Sequence, residues 1–149
     1  MDFLTFMIFF IACSVAASTG RLFPTGDWYS SLKKPIWNPP DWLFPIAWSI
    51  LYIIIAYVGM RISKLANENP HALALWVLQI SFNTIWTPVF FGLQKIRLAM
   101  VFMLGLWGTV LAMVISYWYI DELAATLLIP YFLWISFAAV LNYRIMKLN

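Results

Sequence analysis

Five long stretches of this chain contain no Lys, Arg, Asp or Glu. They cover residues 3–20, 42–60, 72–94, 98–120 and 123–143, and each is 18 to 23 residues long. About 20 helical residues, at a rise of 1.5 Å each, span a hydrocarbon core of about 30 Å. Lipid offers no partner to backbone N–H and C=O groups, so a segment that crosses it must satisfy them within a helix. The sequence therefore predicts an all-α membrane protein, a five-transmembrane-helix bundle forming a single domain over residues 1–149.

The composition excludes two other classes of protein. Hydrophobic residues make up 64% of the chain and charged residues 10%, whereas a soluble domain has about 25% charged residues. The net charge of +3 is spread along the chain, and a nucleic-acid-binding surface needs a concentrated basic patch. We therefore expect the bilayer as a partner and no nucleic acid.

The basic residues are distributed unevenly between the two ends of the predicted bundle. The end that holds the C-terminus carries Arg21, Lys33, Lys34, Lys95, Arg97, Arg144 and Lys147, and the other end carries only Arg61 and Lys64. Basic loops stay on the cytoplasmic side, so we predict a multi-pass protein of the cell membrane with the N-terminus outside and the C-terminus inside. The first span follows Asp2 with no preceding Lys or Arg, unlike a cleaved signal peptide, so we expect it to be retained.

A long loop, residues 21–41, separates the first two spans, whereas the other connections are short. A loop of this length beside tight connections is more often functional than idle. It contains Trp37-Asn38-Pro39-Pro40, and proline fixes its own φ and extends the residue before it. We predict a rigid, extended lid. An aromatic anchor at the membrane interface is an alternative that the chemistry leaves open.

The residues that are missing limit the chemistry. No ionisable carboxylate, Lys, Arg or His lies within a span, and a proton-coupled pump needs such a carrier. His71 is the only histidine and Cys13 the only cysteine, whereas a metal site needs several ligands. We therefore predict no metal, no cofactor and no catalytic residue of the acid–base kind.

Aromatic and amide side chains recur at helical spacing inside the spans. The stripes are Phe44, Trp48 and Tyr52; then Gln79, Asn83, Trp86 and Phe90; then Trp134, Ala138 and Leu141, with Asn142 at the border. Such stripes are also typical of plain packing. The two asparagines are harder to explain that way, because a buried amide without a partner costs several kcal/mol in hydrocarbon. Each must therefore meet a helix, water or a ligand.

Small residues recur on two other faces. Ala12, Ala16 and Gly20 form a line on the first span, which either lets helices approach closely or leaves room beside a flat ligand. The third span offers Ala72 and Ala74 as a candidate face for a homodimer.

The motifs resemble those of the tryptophan-rich sensory protein/translocator protein (TspO) family, and they occur in order over nearly the whole chain. They are Trp28-Tyr29; Lys34-Pro35 with Trp37-Asn38-Pro39-Pro40; Phe44-Pro45 with Trp48 and Leu51-Tyr52; Gln79, Asn83, Trp86-Thr87-Pro88 and Phe90-Phe91-Gly92; Pro130-Tyr131 with Trp134; and Leu141-Asn142 with Leu148-Asn149. Positions 36 and 146 are Ile and Met, where family members often have Trp.

The resemblance implies a five-helix bundle, commonly dimeric, that binds porphyrins such as protoporphyrin IX, certain sterols and isoquinoline-type aromatics. The pocket would lie between the first, second, third and fifth spans, under the 21–41 loop. The implied ligand-binding residues are Tyr29, Trp37, Asn38, Pro39, Phe44, Trp48, Tyr52, Asn83, Trp86, Phe90, Trp134, Ala138 and Leu141. A tyrosine and a basic residue near the C-terminus, Tyr143 and Arg144, match a pattern proposed for sterols.

Three functions remain open at this point. The first is a membrane receptor or sensor for porphyrin-like tetrapyrroles, with passive transport of them. The second is light-dependent oxidative degradation of a bound porphyrin, which needs no acid–base catalyst. The third is a structural membrane subunit. A bacterial cell membrane is the expected location, and an outer membrane is the alternative.

Overall fold

A computed structural model describes residues 2–149 and shows helices with no strand among those residues. The helices are α1 (Asp2–Leu22), α2 (Asp27–Ser31), α3 (Leu43–Ser63), α4 (Pro70–Thr87), α5 (Ile96–Trp118) and α6 (Glu122–Leu148), and α4 continues into a π-helical segment, Pro88–Gly92. Five helical spans are long and apolar enough to cross a membrane. The predicted all-α fold with five spans is confirmed.

The spans begin and end within a few residues of the predicted bounds. The largest difference is α6, which continues through Arg144 to Leu148. Charged residues in its last turns limit the charge-free stretch without ending the helix. At its start the Asp121 carboxylate accepts a hydrogen bond from the Ala124 N–H at 3.1 Å, a typical N-cap that satisfies a free backbone donor.

The five spans form a closed ring in the order α1, α3, α6, α5, α4. Sequence neighbours pack together at α1–α3, α4–α5 and α5–α6, as the short connections predict. The pair α3–α4 is the exception, because each of these helices packs more extensively against α1 than against the other. They still meet directly, for example where Trp76 Nε1 donates to the Ile55 carbonyl at 2.9 Å. The connection of residues 64–69 therefore passes the end of α1, where Lys64 Nζ lies 2.8 Å from an Asp2 carboxylate oxygen.

Two glycines allow the helices around this ring to approach closely. A Cβ added at Gly59 on α3 would overlap the Phe9 ring of α1 and lie 2.8 Å from Trp76 Nε1 of α4. A Cβ at Gly105 on α5 would lie 2.8 Å from the Phe82 ring of α4. A real Cβ atom essentially never lies this close to another heavy atom. With the rings in these positions, Gly59 and Gly105 therefore have no room for a larger residue.

The 21–41 loop contains the short helix α2 and a turn in which the Asn38 N–H donates to the Pro35 carbonyl at 3.0 Å. Trp37 lies in that turn, so the prediction that residues 37–40 are extended is wrong at the first of them. Proline fixes φ but leaves ψ free to turn. The loop is nevertheless held in place, because the Asn149 side chain pairs with both backbone groups of Lys33, at 3.0 and 2.9 Å.

Candidate functional site

A cavity of about 570 Å³ lies inside the bundle below the 21–41 loop. Side chains from α1, α3, α4, the π-helical segment and α6 line most of it, and Met103 adds a contact from α5. The predicted position, between the first, second, third and fifth spans, is therefore where the structure has a cavity. Protein pockets for small molecules have volumes of about 300–1,000 Å³, so this one can hold a compact aromatic ligand.

Aromatic rings form two sides of the cavity. Trp86 stacks on Phe90 with ring centroids 4.9 Å apart, and Trp48 lies 5.4 Å from Tyr52 on the facing helix. The pairs come from two helices because each stripe repeats every fourth residue, which keeps its rings on one helix face. The result is a cavity bounded by flat, polarisable surfaces, which favour stacking with a flat ligand.

The side of the cavity formed by α1 is made of small residues. Ala16, Ala17 and Gly20 line it, and Ala138 of α6 also reaches the space. A Cβ at Gly20 would meet nothing within 4 Å, so this glycine is not needed for helix contact there. The small residues on this part of α1 therefore leave room instead of closing the bundle.

A chain of four polar side chains ends at the cavity. The Tyr52 hydroxyl donates to Asn83 Oδ1 at 3.0 Å, and Asn83 Nδ2 donates to the Tyr131 hydroxyl at 3.0 Å. The Tyr131 hydroxyl donates in turn to Gln79 Oε1 at 2.9 Å. Tyr52 and Asn83 line the cavity, whereas Tyr131 and Gln79 are fully buried behind it. We refer to these four residues as the polar relay.

A second buried amide meets an aromatic residue of the cavity wall. Asn142 Oδ1 accepts a hydrogen bond from Trp86 Nε1 at 3.0 Å, and its Nδ2 donates to the Ile96 carbonyl at 3.4 Å. The expectation that Asn83 and Asn142 must have partners is thus confirmed, and both are hydrogen-bonded to protein groups. Because Asn142 fixes the indole of Trp86, it also fixes the ring plane that faces the cavity.

The mouth of the cavity holds its only charged lining groups among the described residues, Arg21 and Asp41. Tyr29 lies beside them on α2 and packs against Phe90 and Phe91 of the π-helical segment. Burial, reinforced by the Asp41 carboxylate, raises the pKa of Tyr29, so this phenol stays neutral at physiological pH. Charge is therefore confined to the mouth, and the interior is uncharged.

The cavity brings together most of the residues that the resemblance implied. Those on its wall are Tyr29, Phe44, Trp48, Tyr52, Asn83, Trp86, Phe90, Ala138 and Leu141. Trp37, Asn38, Pro39 and Trp134 are not among the lining residues. A ligand-binding role for each of these residues stays a prediction.

Trp134 and Trp37 lie outside the cavity wall, each against another aromatic ring. Phe44 occupies the wall, and Trp134 packs against it with ring centroids 5.8 Å apart. Trp37 contacts Phe137 on α6 and is 45% exposed. The next residue of the loop, Asn38, interacts with Tyr29 at the cavity mouth, so this segment reaches both α6 and the mouth. The buried atoms Trp134 Nε1 and Asn38 Oδ1 have no hydrogen-bond partner there.

The polar groups of the site are divided between its mouth and its interior. Within residues 2–149 no cluster of His, Cys, Asp or Glu could hold a metal ion. The mouth carries Arg21 and Asp41, and the rest of the cavity wall carries phenol, indole, amide and hydroxyl groups. What the arrangement can do is enclose an apolar, flat molecule and offer it hydrogen bonds at Tyr52 and Asn83.

Sequence reasoning does not identify Tyr131 as the hydrogen-bond partner of Asn83 and Gln79, nor the pairing of Asn149 with the loop. Tyr131 follows Pro130 in a span, and the sequence carries no signal of which helix its phenol faces. The partner of Asn149 is 116 residues away in sequence, and no local pattern indicates such a contact.

The fold and cavity define a five-span helical membrane protein with an aromatic-lined cavity inside the bundle. The model of the TspO/MBR family matches residues 6–148, and the chain belongs to that family. It is 44% identical to Protein CrtK of Rhodobacter capsulatus, covering 100% of this chain and 95% of that protein. It is 40% identical to the tryptophan-rich sensory protein of Cereibacter sphaeroides, with 100% and 94% covered. It is 32% identical to the human translocator protein, with 96% and 89% covered.

Proposed function

We propose that the protein is a membrane receptor that binds porphyrins of the protoporphyrin IX type, or similarly flat hydrophobic ligands, in the cavity below the 21–41 loop. The observation that carries this proposal is the cavity of about 570 Å³ with Trp48 and Trp86 on facing helices. Stacking on well-placed aromatic rings contributes about 0.5–1.5 kcal/mol for each pair beyond area burial.

The distribution of charge favours an amphipathic ligand in one orientation. The interior of the cavity is uncharged, and its mouth carries Arg21 as the basic group and Asp41 as the acidic one. An apolar macrocycle would lie inside with its carboxylates near Arg21. Lys34 is less suited to this role, because its Nζ lies 4.2 Å from the centroid of the Tyr29 ring and outside the lining.

A titration with protoporphyrin IX tests the proposal through two matched tryptophan variants. Trp48→Leu removes an indole from the cavity wall, and Trp134→Leu removes one that packs behind Phe44. We expect Trp48→Leu to weaken binding by about two- to tenfold, the equivalent of one aromatic pair, and Trp134→Leu to change it less. Binding is followed by the absorbance of the porphyrin, so loss of a tryptophan does not alter the signal.

Two results would contradict the proposal. Equal losses in the two variants would mean that the porphyrin does not lie against Trp48. Binding to neither the wild type nor the variants, in detergent and in lipid, would favour a structural membrane subunit. Passive transport is tested separately by release of porphyrin from vesicles with and without the protein.

Light-driven oxidation of a bound porphyrin by molecular oxygen is a second candidate function. Trp48 lines the cavity and lies 5.4 Å from Tyr52 and 6.2 Å from Tyr131, so redox-active rings would contact an excited chromophore. Illumination in air should give a new absorbing product only with the protein present. A yield that is unchanged by Trp48→Leu at saturating porphyrin would contradict a role for this ring.

We also propose a homodimer through the exposed face of α4. Ala74, Leu78, Ser81 and Ile85 are exposed and share one side of that helix. Ala72, the other predicted dimer residue, is buried and accepts the Tyr117 hydroxyl at 2.7 Å, so it cannot contribute. Ser81→Cys should form an intermolecular disulfide in membranes, and Glu68→Cys should not. A disulfide in Glu68→Cys and none in Ser81→Cys would place the dimer interface outside this face of α4.

A further inference from the structure

The polar relay has a direction, and that direction sets what the cavity offers to a ligand. Every donor points away from the cavity and toward the buried end of the relay: Tyr52 donates to Asn83, Asn83 to Tyr131, and Tyr131 to Gln79. A hydroxyl has one donor and two acceptor lone pairs. The single proton of Tyr52 is therefore used by Asn83, and the Tyr52 oxygen offers the cavity only an acceptor.

The same four residues can form the opposite chain. Amide side chains place oxygen and nitrogen at nearly equivalent positions, so half a turn exchanges an acceptor for a donor. With both amides turned, Gln79 would donate to Tyr131, Tyr131 to Asn83, and Asn83 to Tyr52. All three hydrogen bonds would be retained, and the Tyr52 proton would then point into the cavity.

The two directions leave similar groups without partners. In the observed direction Gln79 Nε2 has no hydrogen-bond partner, and the whole side chain is buried. In the opposite direction Gln79 Oε1 would lack a partner and Nε2 would gain one. An unpartnered buried polar group is costly in either case, so neither direction is fixed by the protein alone.

We propose that Gln79 and Tyr131 are positioning residues that let Tyr52 present either an acceptor or a donor to the ligand. The cavity would then accept flat ligands whose deep edge carries N–H or O–H groups as well as ligands whose deep edge carries carbonyl groups. This inference rests on the proposed function, because it requires a flat ligand in the cavity. Neither Gln79 nor Tyr131 needs to touch that ligand.

Three flat probes and one buried substitution test the relay. Pyrene has no polar group, 1-hydroxypyrene offers a donor, and pyrene-1-carbaldehyde offers only an acceptor. Gln79→Met keeps the length of the side chain but removes the acceptor for Tyr131, whose proton is then free to bond Asn83 Oδ1. Asn83 Nδ2 would donate to Tyr52, and the Tyr52 proton would face the cavity.

We expect Gln79→Met to shift the affinity ratio of the two substituted pyrenes toward the aldehyde by about three- to tenfold, the worth of one hydrogen bond. Binding of unsubstituted pyrene should stay unchanged. Tyr117→Phe is the control, because it removes a different buried hydrogen bond, to the Ala72 carbonyl, and should leave the ratio unchanged. An unchanged ratio in Gln79→Met, or a shift toward 1-hydroxypyrene, overturns the relay.

A spectroscopic measurement on the wild type covers the case in which Gln79→Met does not fold. The infrared C–O stretch of a phenol differs between its donating and accepting states, and subtracting the spectrum of Tyr52→Phe isolates this residue. The band should move in opposite directions on binding 1-hydroxypyrene and the aldehyde, and a common response overturns the relay. Failure of all three probes to bind the wild type instead overturns the proposed function, and this inference with it.

Discussion

Asn142 illustrates how one buried amide can connect three helices of the bundle. It lies on α6, accepts from Trp86 on α4 and donates to the Ile96 carbonyl at the start of α5. The sequence predicted that this amide needs partners, because hydrocarbon supplies none. It could not predict which partners, because helical spacing places a residue on a face but does not say which neighbour that face meets. The same limit explains why Trp134, at the correct spacing, lies behind the cavity wall.

Replacing Asn142 with Leu should destabilise the bundle. The Trp86 N–H would lose its acceptor and the Ile96 carbonyl a donor, and each buried unsatisfied group costs about 1–3 kcal/mol. We expect a lower thermal unfolding midpoint in detergent and weaker porphyrin binding, because the Trp86 ring is no longer fixed. Ser14→Ala, which removes a bond within one exposed turn of α1, is the control. A midpoint equal to that of the control would contradict this account.

The ion pair between Asp121 and Arg61 predicts a loss of stability in acid. Burial alone would raise the pKa of Asp121, but hydrogen bonds from Arg61, at 2.8 Å, and from the Ala124 N–H outweigh it and lower the pKa below its ordinary value of 3.8. A carboxyl whose pKa is lower in the folded state contributes stability that is complete above the unfolded pKa and is lost as the pH falls through the folded one.

We therefore expect the unfolding midpoint of the wild type to fall below about pH 4, where an unfolded aspartate takes up its proton. Asp121→Asn keeps an acceptor for the helix cap but cannot lose a charge, so its midpoint should depend less on pH in that range. Other carboxylates titrate equally in both proteins, so the difference between the two curves isolates Asp121. The same pH dependence of the unfolding midpoint in the wild type and in Asp121→Asn would show that the Asp121–Arg61 ion pair contributes nothing to stability.

At the scale of the elements, the five spans followed from the sequence and the smaller pieces did not. A span has a length and a lack of charge that hydrocarbon imposes, so its bounds can be read from the chain. The helix α2 has only five residues, too few to show a period. The π-helical segment begins at Pro88, which has no N–H to continue the α-helical pattern. It directs Phe90 and Phe91 toward Tyr29 on α2, so these two missed pieces together hold the loop over the cavity.

Removing the Asn149 side chain should loosen the 21–41 loop. Two hydrogen bonds join Asn149 to the backbone of Lys33, and a protease needs that backbone to be free and extended. We expect Asn149→Ala to increase trypsin cleavage after Lys33 several-fold under conditions in which the bundle stays folded. Lys34 precedes Pro35 and resists trypsin, so the new site is unambiguous.

Cleavage after Lys64 provides the internal control for this prediction, because Lys64 is exposed and lies at the end of the bundle opposite to Asn149. A rise at all sites would indicate general unfolding and not release of the loop. Unchanged cleavage after Lys33 would mean that the contacts of Tyr29 and Trp37 hold the loop without Asn149.

At the scale of the whole molecule, the short connections did not predict the order of the helices around the bundle. Connection length favours sequence neighbours as packing neighbours, yet α3 and α4 each pack more extensively against α1 than against each other. The two aromatic stripes meet where Tyr52 donates to Asn83. The small residues of α1 line the same cavity as Trp48 and Trp86, so the position of α1 beside both helices contributes to the space that a ligand needs.

The same whole-molecule arrangement gives the two ends of the bundle opposite charge, and this predicts the orientation in the membrane. The end with the 21–41 loop has seven basic and two acidic side chains, and the other end has two basic and four acidic ones. We expect the basic end, and with it the cavity mouth, to face the cytoplasm. The single native cysteine, Cys13, is buried, so cysteines introduced at exposed positions report the orientation without background.

Ser31→Cys lies in the loop and Glu68→Cys at the opposite end, and both positions are exposed. A maleimide that cannot cross membranes should label Glu68→Cys in intact cells and should label Ser31→Cys only after the cells are opened. Reversed labelling, or labelling of both in intact cells, would contradict the orientation. Replacing Lys33, Lys34, Lys95 and Arg97 with Gln should reduce the preference if these charges cause it, because a positive-inside bias depends on basic residues close to the spans. In the wild type a ligand would reach the cavity from the cytoplasmic side, and in the variant a fraction of the molecules would be reached from the other side.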